Sequence, residues 1–463
     1  MIIKKSERTK KQIVFFTWTL WGGGQEKLLL YLAKHLNHAY FEPHIVYHNQ
    51  TENRPVGTDP SISIHCLNLN STTPSSADTA SQKNRHDFQN ILLRVFRRLP
   101  TSVKDKLRSY RKRIFSKIFN FLYPVPQLAS VGQEPLHTSG MISKSIVASL
   151  NYAFALRKVL SQLRKDAVIV AMQEGPTIQA WLNKIHDTHN YISYLCIPES
   201  IYLPLLYRDP EQLLVEKWLF TNACRAAKTV IVPNEWMCAD IENEFGIDHK
   251  SIRIIPNAID CQQVLNMSTI PISGHISLSG KTLFVQLARL DFQKNHELMV
   301  EACDILRKKL NNFLILVIGD GTERAKIEKM VHERKLSNYI QFLGDMKNPY
   351  PYLKIARASI LTSRFEASPL VLLDSLLLGA VPVSVDCIAG PCDILEHGKY
   401  GILVPSNDPN AFAEAMYRIA TDDQLHNKLK SMGMQRAFEF DISIFVKQWE
   451  EVLCSDDNSE THS

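Results

Sequence analysis

The sequence predicts two doubly wound α/β domains facing a central cleft. Three observations carry that expectation. Residues 12–47 run strand, glycine turn, helix, strand; residues 282–396 repeat strand–helix units; and a Pro-, Ser- and Gly-containing stretch at 262–281 separates them. The length of 463 residues allows two to four domains at roughly 100–200 residues each. With 45% hydrophobic and 22% charged residues, a disordered, collagen-like or disulfide-stapled chain is excluded. Nine cysteines are scattered without a C-x-x-C pair, and read as reduced, mostly buried thiols of a cytosolic protein.

Element by element, Gln12–Trp18 is short, apolar and aromatic, which predicts a buried strand. Gly22-Gly23-Gly24 makes the turn, and Leu28, Leu29, Leu32 and Leu36 give a helix over 26–36 its apolar face. A strand follows at 44–47. Residues 50–90, rich in Thr, Ser, Asn, Asp and Pro, read as mostly irregular. Val103, Leu107, Tyr110, Ile114 and Ile118 then recur at helical spacing, until Tyr123-Pro124-Val125-Pro126 stops that helix. Alternation resumes with helices at 145–164, 176–186, 213–226 and 235–244, and strands at 167–172, 190–196, 229–232 and 252–255. In the second half strands are expected at 282–288, 313–318, 339–343, 358–362 and 381–385. Helices at 295–310, 322–334, 349–356, 369–378 and 391–396 alternate with them, so a parallel sheet covered on both faces follows.

The net charge of +6 is uneven: ten Lys or Arg between Arg94 and Lys117 face one acid, Asp105. Arg108, Arg111, Lys112, Arg113 and Lys117 flank the apolar stripe of helix 103–122. That helix reads as a solvated helix, a nucleic-acid patch or a membrane-surface anchor. The stripe ending in Phe119, Phe121, Leu122 and Tyr123 favours the anchor, with an anionic membrane as partner and no nucleic acid. No apolar run reaches the roughly 20 residues a spanning helix needs, and no secretory signal is expected. Together these place the protein in the cytoplasm, peripheral on the inner face of the cytoplasmic membrane.

Ligands of open α/β sheets lie beyond the carboxyl ends of the strands. There Arg289 and Lys294 share one loop and can both reach a diphosphate; alone, the loop reads equally as a surface ion-pair loop. Gly319-Asp320-Gly321 is a tight turn into the next helix, and Asp320 by itself is unremarkable. The sharpest signal is Ser363 to Asp374. Ser368 suits an N-cap and Pro369 a first helical residue, so the free N–H groups of that first turn form an anion site. Glu366 precedes the turn, placed to accept from a sugar hydroxyl. Asp374 lies among leucines, where a carboxylate needs a partner such as a ribose diol.

These residues resemble the retaining glycosyltransferases of family 4, whose architecture, GT-B, has two Rossmann-like domains. The resemblance spans nearly the whole chain outside about 50–145. It is carried by Gly22 to Glu26, Ile255 to Asp260, Arg289 to Asn295, Gly319 to Gly321, and Glu366 through Pro391. It implies an acceptor-binding domain at 1–265 with a basic insertion at about 50–145, and a linker at 266–281. A nucleotide-sugar-binding domain at 282–440 and a C-terminal helix and tail at 441–463 would complete the chain.

The implied activity moves a hexosyl or N-acetylhexosaminyl group from a UDP- or GDP-sugar to a glycan or lipid-linked saccharide. Cell-surface polysaccharide or lipopolysaccharide would be the product. Gly23, Gly24, Gly319, Ala367, Ser368, Pro369, Leu370 and Asp374 would bind the donor; Arg289 and Lys294 would neutralise the departing diphosphate, and Glu366 would contact the transferred sugar. Gly22 and Glu199 would lie on the acceptor side. Three departures stand out. Asp374 is one methylene shorter than the family's second glutamate. Ala367 replaces a glycine. Leu195-Cys196-Ile197-Pro198-Glu199 lacks the family's sugar-positioning histidine, so that Glu199 either substitutes or packs. No D-x-D triplet occurs, so neither metal nor cofactor is expected. The rival readings are a GT-B epimerase and a non-catalytic GT-B scaffold.

Overall fold

The computed structural model describes residues 9–18, 20, 23–48, 59, 62–67, 149, 152–153, 155–184, 189–272 and 280–455. Gly22, the basic helix 103–122 with its five named cations, and much of the expected 50–145 insertion lie outside the described residues. The chain divides into two compact units. One runs to Val232 and resumes over Cys238–Arg253; the other comprises Pro233–Met237 and everything from Ile254 onward.

The first unit is built on a seven-stranded sheet in the order β3-β2-β1-β4-β5-β6-β7. Its strands are β1 (Lys11–Thr17), β2 (Phe41–Tyr47), β3 (Ser63–Cys66), β4 (Val168–Met172), β5 (Asn190–Tyr194), β6 (Thr229–Val232) and β7 (Ile252–Ile254). β1 lies between β2 and β4, parallel to both, and is covered on both faces. That position explains why Ile13–Phe16 are all fully buried and read as a continuous apolar run rather than an alternation. Helix α1 (Gly24–His35) starts at the expected glycines and buries Leu28, Leu29 and Leu32.

β3 corrects the expectation of an irregular stretch. Ser-Ile-His-Cys is a half-exposed edge strand paired with β2, and its polar composition hides it from an apolar search.

The second unit holds a six-stranded sheet in the order β10-β9-β8-β11-β12-β13, parallel throughout. Its strands are β8 (Thr282–Leu287), β9 (Phe313–Ile318), β10 (Ile340–Gly344), β11 (Ala358–Leu361), β12 (Val381–Asp386) and β13 (Ile402–Pro405). Phe284, Phe313, Ile315, Val317, Ile360 and Val383 form the centre of its core. The edge strand β13 was not among the expected strands; it is four residues long and ends in proline.

Where a linker was expected, Cys261–Ser268 forms a helix, capped by the Asp260 carboxylate accepting from Gln263 N–H at 2.8 Å. The second unit also begins earlier than expected. The Ile259 and Ile442 amides exchange hydrogen bonds with Phe440 and Ile259 carbonyls at 3.0 and 2.9 Å, and Asn257 donates to Ser368 O at 3.1 Å. These bonds fix Ile254–Asp260 in the unit, along with the helix Ile442–Cys454, whose Phe445 and Trp449 are buried. Among the described residues no helix is long and apolar enough to cross a membrane.

Candidate functional site

In the second unit the loops beyond the C-terminal ends of β8, β9 and β11 are bonded to one another. After β8, Leu290 N–H donates to Asp320 O at 3.0 Å and Glu323 N–H to Leu290 O at 2.9 Å. Gly319 (φ +133°) lies against the Ala288 carbonyl and Gly321 against that of Leu290, so close that a Cβ at either position would collide with backbone. Glycine is therefore required here by the approach of the neighbouring loop. Asp320, being exposed, bonds locally to Gly321 N–H and Arg324 at 2.7 and 2.8 Å, as a solvated carboxylate would.

The second connection links β8 to β11. Asp291 caps a single 3₁₀ turn, Phe292–Lys294, by accepting from Lys294 N–H. Asn295 at φ +49° then turns the chain into the helix His296–Leu306. Gln293 donates from its side chain to Phe365 O at 3.0 Å, while Arg364 N–H donates to Gln293 O at 2.8 Å. Thr362 donates to Lys294 O at 2.9 Å and accepts from Gln286 at 2.8 Å. Both ends of the loop are held, and the lysine side chain has a defined origin.

Lys294 Nζ then meets Glu366 Oε1 at 2.5 Å, and Ser363 Oγ donates to the same oxygen at 2.6 Å. The lysine and glutamate side chains are 16% and 7% exposed, so this pair sits largely out of water, where charge-assisted bonds are strong. Arg289 is placed differently. Its side chain is 68% exposed and pairs with Asp291 at 3.1 Å, so of the two cations in this loop only Lys294 is drawn into the acid. Burial and then the Lys294 charge lower the His296 imidazole to about 4, so it is neutral near pH 7. Burial and then the Glu366 charge raise the Cys387 thiol, which removes it as a nucleophile.

Around Glu366 the backbone is equally constrained. Glu366 N–H donates to Ile388 O at 3.1 Å, Asn234 donates to Ala367 O at 2.5 Å, and Asn257 holds Ser368 O. A Cβ on Gly390 would stand 2.6 Å from the Ala367 carbonyl oxygen. The following helix, Leu370–Leu378, starts one residue later than expected. Pro369, extended at ψ 109°, is the N-cap in place of Ser368, and proline offers no side-chain acceptor. The helix N-terminus thus carries no side-chain cap, and its first amides and dipole are available to an anion. Asp374 lies 4% exposed within this helix, near enough to Cys261 to contribute, after burial, Asp441 and Asp260, to raising that thiol to about 12.

Sequence reasoning thus named the acid and the lysine and set the helix start one residue early, but missed Ser363, Gln293, Asn234 and Asn257 as the groups that aim them. The Pro233-Asn234 pair directly after β6 was the available signal, since polar residues at strand ends are where such sites gather.

In the first unit Gly23 is the N-cap of α1, again with no side-chain cap, and a Cβ there would strike the Glu26 carboxylate. Glu199 opens the helix Glu199–Leu206 and is 0% exposed, with neither carboxyl oxygen hydrogen-bonded among the described residues. Burial, then the charges of Glu174 and Asp240, raise it well above the ordinary 4.5. Burial raises Glu174 likewise. Protons held in the native state above the unfolded value stabilise the fold fully at low pH, and that stability is lost as pH rises through the raised values. Wild-type melting temperature is therefore expected to fall between about pH 5 and pH 8 more steeply than that of Glu199→Gln. Thermal melts across that range check this; parallel curves would remove Glu199 from the account.

The family model described as glycosyl transferases group 1 matches residues 274–436, and that of glycosyltransferase family 4 matches 121–263. An uncharacterized glycosyltransferase of Methanocaldococcus jannaschii is 24% identical over 340 residues, 65% of this chain and 82% of that one. A Campylobacter jejuni N-acetylgalactosaminyltransferase, named for a diphospho-undecaprenol-linked acceptor, is 26% identical over 49% of this chain; the chain spans only 60% of that relative. The solved structure of Anabaena HepE in complex with UDP superposes with a TM-score of 0.66, at 14% identity, over 96% of this chain and 100% of that one, and shares the fold.

Proposed function

We propose, for a chain that belongs to the group 1 glycosyltransferases of GT-B fold and acts as a hexosyl- or N-acetylhexosaminyl-transferase, a retaining transfer from a nucleotide-sugar. The donor is a UDP- or GDP-sugar and the acceptor a glycan or lipid-linked saccharide of cell-surface polysaccharide or lipopolysaccharide assembly. The observation that carries this reading is the Lys294–Glu366–Ser363 cluster standing before an uncapped helix N-terminus.

In this reading the anomeric C–O bond to the β-phosphate breaks as the acceptor oxygen bonds to the same carbon from the same face. The acceptor's proton passes to the departing phosphate oxygen, so no protein nucleophile is used. Lys294, Arg289 and the amides of Leu370 and Val371 stabilise the charge developing on the diphosphate. Glu366 orients a sugar hydroxyl, and Asp374 reads the ribose. Gly319, Gly23 and Gly24 let backbone approach the donor, while Ala367 through Leu370 face its sugar and phosphates. Gly22 and Glu199 serve the acceptor side. The absence of a D-x-D triplet supports transfer without a metal clamp. The basic residues between Arg94 and Lys117 support a peripheral location on an anionic membrane, on the inner face. The lipid-linked acceptor in the Campylobacter relative's name supports the same location.

The test is a thermal-shift titration with UDP, GDP, ADP and their sugar conjugates. At about 100 times Kd a ligand adds about 2.7 kcal/mol, which reads as a rise of a few degrees. One base is expected to give that rise and Arg289→Ala to reduce it. No shift with any nucleotide would put the non-catalytic scaffold first.

A further inference from the structure

We propose that Cys238, Glu242 and His249, none of them part of the donor or acceptor machinery above, form a three-ligand site for zinc(II). Cys238 and Glu242 are four residues apart on the helix Glu235–Phe245, so their side chains share one face. The helix ends at Gly246, whose φ of +60° reverses the chain. Asp248 then caps the 3₁₀ turn His249–Ser251 by accepting from Lys250 N–H at 3.0 Å, which returns the imidazole to that face.

His249 Nδ1 lies 3.6 Å from Cys238 Sγ and 3.2 Å from Glu242 Oε2, and the three donor atoms all fall within 4.8 Å of one another. Tetrahedral zinc with Zn–S of about 2.3 Å and Zn–N and Zn–O of about 2.0–2.2 Å has edges of about 3.5 Å between S and N and about 3.3 Å between N and O. The two observed separations, sulfur to nitrogen and nitrogen to oxygen, match those edges before any side chain moves.

The hydrogen bonding points the same way. One imidazole nitrogen faces both a thiol sulfur and a carboxylate oxygen, so three atoms that each carry a lone pair converge on one point. A cation serves all three groups at once. On binding, the Cys238 S–H gives its proton to solvent and the thiolate takes the metal. Sulfur, imidazole and carboxylate together favour zinc over magnesium or calcium, which take oxygen shells. Cys238 is buried while Glu242 and His249 are exposed, leaving the fourth position to water and a path for entry. The ion would staple the helix to the turn that follows it.

Cobalt(II), which reports thiolate ligation by a charge-transfer band, is the probe for titration of the metal-free full chain, followed by displacement with zinc. One equivalent more than His249→Gln binds is expected, with a band that Cys238→Ser abolishes and a melting temperature raised by a few degrees. Glu242→Gln should weaken binding about 10-fold to 100-fold, the loss typical of a perturbed metal shell. His249 is 67% exposed, so its variant is expected to fold even if Cys238→Ser does not. Equal cobalt uptake by wild type and His249→Gln, or a band that survives Cys238→Ser, would overturn the proposal.

Discussion

Glu366→Gln is expected to lower turnover by about 10²- to 10³-fold while leaving the nucleotide-induced rise in melting temperature in place. Both observed partners of the acid, Lys294 and Ser363, use the same oxygen, Oε1. On the proposed mechanism the other oxygen is therefore the acceptor offered to a sugar hydroxyl. Glutamine keeps the size and can still take Lys294 and Ser363 on its carbonyl, but it then presents an NH₂ where the oxygen stood. The hydrogen bond to the sugar is reversed, whereas the diphosphate contacts are untouched.

Alanine is the poorer probe. Both variants take the counter-charge from the Lys294 ammonium, 16% exposed, but alanine also removes the oxygen that accepts from it, and breaking a buried pair outright costs about 3–5 kcal/mol. Steady-state transfer assays beside thermal shifts separate the two effects. A glutamine variant with turnover within tenfold of wild type would show that Glu366 only holds Lys294 in place.

The ion pair also marks where sequence reading stops. Periodicity and breakers located the strands at the centre of each sheet and the helices between them, because β1, β8, β9 and β11 are apolar segments buried on both faces. They gave no expectation for β13 or for the helices Glu199–Leu206, Pro409–Thr421 and Asp423–Ala437. They failed at Ser63–Cys66, where an edge strand needs no apolar face, and at Cys261–Ser268, where a short helix sits among Pro, Ser and Gly. Within the candidate site, residue types and spacing named Arg289, Lys294 and Glu366 and set the helix start one residue early. Nothing in the spacing distinguished the two cations. Arg289 and Lys294 belong to the same loop, yet the 3₁₀ turn capped by Asp291 sends one into solvent and the other onto Glu366. Asn234 and Asn257 act through the Ala367 and Ser368 carbonyl oxygens, 133 and 111 residues away, and spacing along the chain does not show which oxygen each would reach. Glu199 shows the converse: the sequence left it between substitution and packing, and only its complete burial shows how far it is from an ordinary solvated acid.

Gly319→Ala is expected to destabilise the protein by about 2–4 kcal/mol and to abolish the nucleotide shift even where the variant remains folded. Two separate effects meet at this residue. Its φ of +133° belongs to a region that side chains avoid, and its Cβ would enter the Ala288 carbonyl, with the carbonyl carbon at 2.9 Å. The obstacle is backbone and cannot swing aside as a side chain would. Relief requires the Ala288–Asp291 loop to move, which breaks the Leu290–Asp320 and Glu323–Leu290 bonds and displaces the origin of Lys294. Gly280→Ala separates the two effects. Gly280 also has positive φ, at +70°, but the nearest atom to its Cβ is Asn312 Nδ2 at 3.9 Å, ordinary contact. That variant should cost only the conformational penalty, about 1–2 kcal/mol, and keep the nucleotide response. Chemical denaturation of both variants, with and without nucleotide, gives the comparison. Should the two lose equal stability, backbone conformation alone would explain glycine at 319, and the close approach of the two loops would have no energetic weight. Should Gly319→Ala lose the stability but keep the nucleotide shift, the donor would not depend on how the loop after β8 is seated.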